Sequence, residues 1–136
     1  MRIMTDRTSL AVHAVIGWAI CGATIGIGRT FLTMPITLTV HAIVAPLAFG
    51  ALTWHYYKKH PHSSPINVAV VSVGIVITLD ALLVAPVFEH SYAMFRSVLG
   101  TWIPFALILT ATYAVGRVLS ASRVTTLTEV LPGPLP

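Results

Sequence analysis

The chain has 136 residues, of which 56% are hydrophobic and 9% charged, with a formal charge of +4 and a mean hydropathy of +0.86. That is far more apolar surface than a soluble core of this length requires, so a water-soluble domain is excluded. The basic residues stand singly or as the pair Lys58 and Lys59, so they form no patch for nucleic acid, and the lone Cys21 excludes an intrachain disulfide.

Four apolar runs of roughly 20 residues or more divide the chain, each long enough to cross a hydrocarbon core of about 30 Å as a helix. The first is predicted over Ser9 to Gly28. Arg2 and Arg7 precede it, but the run exceeds a signal-peptide core and reads as an uncleaved anchor. Gly22 and Gly26 form a small-xxx-small motif, with Gly17 and Gly28 nearby, which predicts close helix packing within the bundle or between subunits.

The second run covers Ile36 to Tyr57. Thr37, His41, Ala45, Ala48 and His55 share one helix face, a narrow small-and-polar stripe that a helix turns toward its neighbours. Pro46 releases the carbonyl of Ala42. The longest polar stretch follows, from Tyr56 to Pro65. Within it His60 and His62, beside Lys58 and Lys59, read as solvated, while Ser63, Ser64 and Pro65 supply capping hydroxyls and a first-turn proline.

The third run, Ile66 to Phe88, carries Asp80 well inside its length. A carboxylate there costs about 2.5 to 3.5 kcal/mol on insertion scales, so it must face protein or water. Its neighbours on the same helix are apolar, which requires a partner from another helix. His41 falls in the same half of the membrane, and Arg29 or Thr37 is expected to complete the contact. Pro86 releases the carbonyl of Leu82. The segment from Asp80 to Pro86 resembles that from His41 to Pro46 with one extra residue, a similarity that this composition produces by chance.

Arg29, Glu89, His90 and Arg96 are expected to cluster as a charged mouth above Asp80. Gly100, Thr101 and Pro104 mark the entry to the fourth run, Val98 to Leu119, and the tail from Thr125 to Pro136 is expected to be irregular. Trp54, Tyr56, Tyr57, Tyr92 and Trp102 lie near the run ends, where they read as interface anchors.

Short loops predict that sequence neighbours pack as antiparallel neighbours in space. Arg2, Arg7, Lys58, Lys59, Arg117 and Arg123 fall on one side and only Arg29 and Arg96 on the other, so the positive-inside rule puts both termini in the cytoplasm. The expectation is an all-α integral membrane protein, a single domain over residues 1–136 folded as a left-handed antiparallel four-helix bundle in a bacterial inner membrane.

No motif names a reaction. There is no Gly-x-Ser-x-Gly elbow, no His-Glu-x-x-His and no phosphate-binding glycine loop, so no catalytic residue, metal or cofactor is assigned. Asp80, His41 and Thr37 instead suggest an intramembrane polar site in a transport, channel or transport-accessory subunit. Its partners would be the lipid bilayer, further copies or a larger membrane complex, and a proton, ion or small solute. Two alternatives stay open. The spacing of His41 and His55 resembles one haem-ligand pair of membrane b-type cytochromes, with His13 as a third candidate, in a haem-binding or quinone-reactive subunit. The other is a purely structural or assembly subunit.

Overall fold

The computed structural model describes residues 2–130, with side chains from Asp6 onward. Four helices make up the bundle: α1 (Arg2–Phe31), α2 (Met34–Lys59), α3 (Pro65–Leu79) and α4 (Ile103–Val130). All four lie in segments long and apolar enough to cross a membrane. Their outer surface is correspondingly apolar. Ile27, Leu47 and Leu82 are 63%, 68% and 71% exposed, on helices whose cores are built from small residues such as Ala14, Ala45, Ala69 and Ala85. An aqueous monomer rarely shows so continuous an apolar surface.

The helix boundaries follow local chemistry. Only Leu32 and Thr33 separate α1 from α2, and Thr33 takes an extended backbone (φ −69°, ψ 154°) ahead of a proline in the first turn. Pro65 opens α3 as predicted, but Ser64 makes no side-chain cap. The hydroxyl of Ser63 bonds Tyr56 instead. At the start of the fourth segment the cap is Ser97, whose hydroxyl accepts from Gly100 N at 2.9 Å.

The chain beyond α3 departs from ideal helix. From Asp80 to Phe88 it winds as a π-helix, and a second π turn covers Val98–Trp102 just before α4. Glu89 N bonds Val84 O and Ser91 N bonds Ala85 O, both at 2.9 Å. His90, at φ 49°, then takes the left-handed conformation that turns the chain out of the helix. A 3₁₀ turn, Ala93–Arg96, completes the connection.

Helix directions follow from which residues meet. Gly17 packs on Phe49 and Gly28 on Thr37, so α1 and α2 run antiparallel. Trp18 meets Asp80 and Arg29 meets Glu89, so α1 and the third segment run parallel. Gly50 faces Val115 and Gly116 faces Tyr57, so α2 and α4 are parallel as well. The packing order around the bundle is therefore α1, α2, α4, α3. Consecutive helices alternate in direction as expected, but α2 and α3 lie across a diagonal and are not packed neighbours. The five residues between Lys59 and Pro65 are long enough to cross that diagonal.

Two other expectations change. Residues 125–130 continue α4 rather than forming an irregular tail. No proline or glycine interrupts them, and Thr125, Thr126 and Thr128 each bond a carbonyl one turn back; residues 131–136 lie outside the described residues. Tyr56 and Tyr57 are buried rather than interfacial, because their hydroxyls hold the connection at Ser63. Trp54, Tyr92 and Trp102 are exposed, as anchors would be.

Candidate functional site

A cavity of about 420 Å³ lies between α1 and the third segment, in the half of the bundle that carries the Leu32–Thr33 link. Asp80, at the point where α3 becomes a π-helix, contributes its carboxylate. Trp18 Nε1 donates a 2.9 Å hydrogen bond to Asp80 Oδ1. This supplies the interhelical partner that the desolvation argument demanded, but it is neither Arg29 nor Thr37. The hydroxyl of Thr37 bonds Thr33 O, one turn back, and its methyl faces Gly28. An indole placed mid-span rather than at an interface was the sequence signal for this bond, since its N–H needs an acceptor away from water.

His41 lines the same cavity from α2 and is only 6% exposed, yet its Nδ1 has no hydrogen-bond partner. It stands nearer the Leu32–Thr33 link than Asp80 does. The residue pairings along α1 separate the two by about a turn and a half of helix, roughly 8 to 9 Å along the bundle. They share a cavity but form no hydrogen bond or ion pair with each other. A buried imidazole nitrogen with no protein partner is the kind of exception that calls for a ligand or water.

At the rim, Arg29 Nη1 and Glu89 Oε1 form an ion pair that ties α1 to the end of the π segment. Both residues line the cavity. The other two residues of the expected mouth are not brought in: His90 and Arg96 are exposed and make no ion pair among the described residues. The walls are apolar and aromatic, including Trp18, Phe88, Phe105 and Ile108. Cys21 also faces the cavity from within the core, a role its sequence position did not reveal.

Toward the termini, Val76 and Ile108 of the cavity wall belong with Phe49 to one buried apolar cluster. Gly17 makes this layer possible, because the Phe49 ring occupies the space a Cβ would need, 2.6 Å from that position. Beyond the layer lie Thr53, Ser72 and Thr112, all buried, and Thr112 Oγ1 again has no partner.

The segment from Asp80 to Phe88, which bears the cavity's carboxylate, is a π-helix, bonded i to i+5 in place of i+4. Such segments occur frequently at functional sites.

The remaining histidines gather elsewhere. His13 and His55 stack with ring centroids 5.5 Å apart and planes at 28°, and neither lines the cavity of His41. His55 is exposed although it was expected on the buried face, since Thr53, Tyr56 and Tyr57 take the inward positions there. The three haem candidates thus do not meet at one place. His60 is not solvated: its Nδ1 lies 2.7 Å from Asp6 Oδ1, and its ring stacks on Tyr56. Among the described residues no three His, Cys, Asp or Glu side chains converge as a metal site would require.

Within the bundle, the close packing expected of the small-xxx-small motif falls to other glycines. A Cβ at Gly22 or Gly26 would meet nothing within 4 Å, whereas Gly17 and Gly28 make the close approaches. Comparison of the chain with protein-family models, with curated proteins and with solved structures returned no match.

Proposed function

We propose that this chain is a transport-type or transport-accessory protein of a bacterial inner membrane, with both termini in the cytoplasm, and that the cavity binds the small solute it moves or presents. The observation that carries this reading is the pairing, inside one apolar bundle, of an indole-bonded carboxylate at Asp80 with a buried, unpartnered His41. Polar groups this deep in a membrane are costly, and where they occur they mark solute, ion or proton sites. The volume is within the range of small-molecule sites. The buried apolar cluster that Val76 and Ile108 share with Phe49 lies on the side of the termini, as one state of an alternating-access cycle would have it. Four helices enclose little pathway, so a second copy or a partner subunit belongs to the proposal.

The test is solute or proton flux into vesicles carrying the wild type or Asp80→Asn. Loss of flux in the variant supports the proposal. Unchanged flux removes Asp80 from transport and leaves it an interhelical lock.

A further inference from the structure

Resting on the cavity reading above, we propose that the solute bound there is a lipophilic organic amine in its protonated form, with its ammonium against Asp80 and a second hydrogen-bonding group against His41. Charge selects the cation. Of the charged groups lining the cavity, Arg29 and Glu89 neutralise each other at the rim, and α4 contributes no charged side chain, which leaves Asp80 as the one uncompensated acid. Its Oδ1 accepts from Trp18, while Oδ2 has no donor among the described residues. An ammonium supplies both the donor and the opposite charge. A quinone supplies neither, because its oxygens only accept.

The walls fit the same class. Trp18, Phe88 and Phe105 line the cavity with aromatic side chains, a residue class that attracts cations and buries an apolar body. A bare metal ion finds no converging set of ligands here. His41 adds the second requirement, since its imidazole lines the cavity about a turn and a half of helix from Asp80 and makes no hydrogen bond among the described residues. The ligand is therefore polar at both ends and apolar between them.

The chain carries its own reporter. With Trp54→Phe and Trp102→Phe, both outside the cavity, Trp18 becomes the sole indole. The full-length protein in lipid nanodiscs is titrated with tyramine, with phenethylamine, which lacks the hydroxyl, and with 4-ethylphenol, which lacks the charge. Tyramine is expected to bind most tightly, altering Trp18 emission. Asp80→Asn should weaken both amines by about tenfold or more while leaving 4-ethylphenol unchanged. His41→Phe should lower tyramine to the affinity of phenethylamine. Equal binding of tyramine and 4-ethylphenol by the unmutated cavity, or no binding of either amine, overturns the proposal without depending on whether any Asp80 or His41 variant folds. Amine binding lost while vesicle flux of another solute persists would place the error in the substrate class; absence of any flux bears on the transport reading.

Discussion

Trp18 and Asp80, 62 positions apart in sequence, are joined by a 2.9 Å indole-to-carboxylate hydrogen bond that fixes α1 against the residue where α3 turns into a π-helix. One contact thereby sets the depth of α1 relative to the third segment and orients the only acid in the cavity's interior. The rim pair, Arg29 and Glu89, 60 positions apart, makes a second tie near the other end of the cavity. Two polar ties on one interface hold two parallel helices in register where apolar packing alone would tolerate sliding.

Trp18→Phe should destabilise the bundle by about 1 to 3 kcal/mol, because it removes the donor and leaves a carboxyl group without a protein partner. The double variant with Asp80→Leu should recover most of that loss, since removing both partners leaves nothing unsatisfied. Detergent unfolding curves followed by circular dichroism supply the four corners of the cycle. Strict additivity of the two single changes would mean that the bond contributes nothing.

Glycine substitutions should divide by position rather than by motif. Gly17→Ala places a methyl 2.6 Å from the buried Phe49 ring, and Gly28→Ala places one 2.6 Å from the fully buried Thr37. Each should cost about 1 to 3 kcal/mol through overpacking. Gly22→Ala and Gly26→Ala meet open space and should leave the monomer as stable or slightly more so, given the better helix propensity of alanine. If cross-linking nonetheless shows that these two variants lose an oligomer, the free face is an interface between copies.

Membrane orientation is open to direct labelling. In a Cys21→Ala background, single cysteines at Thr33 and His62 should react with an impermeant maleimide from opposite sides, His62 only after the cytoplasmic face is exposed. Both positions are exposed, and neither side chain makes a hydrogen bond or ion pair. Labelling of both from one side would refute the proposed topology.

Hydrogen exchange in nanodiscs should rank the third segment unevenly. Amides of the π-helix from Asp80 to Phe88 should exchange earlier than those of α3 between Val68 and Leu79, because π bonding is rarely sustained over several turns and Pro86 contributes no N–H. Equal protection across both parts would show that the π segment is as rigid as the helix before it.

Composition and the four apolar runs were enough to establish an all-helical, membrane-compatible chain, because the length needed to cross a bilayer and the exclusion of charge from it are properties of local sequence. They also singled out Asp80 and His41, since desolvation penalises an ionisable side chain wherever its helix happens to pack. Which partners those residues acquire was decided only by the assembled bundle. Side chains meet across helices according to offsets that no single helix encodes: Trp18 rather than Arg29 reaches Asp80, and His41 lines the cavity without bonding to Asp80. The diagonal placement of α2 and α3, the burial of Tyr56 and Tyr57, and the open space at Gly22 and Gly26 share that origin. The sequence specifies which faces are costly to leave in lipid, and the fit of ridges, small residues and hydrogen bonds between four helices selects which of those faces meet.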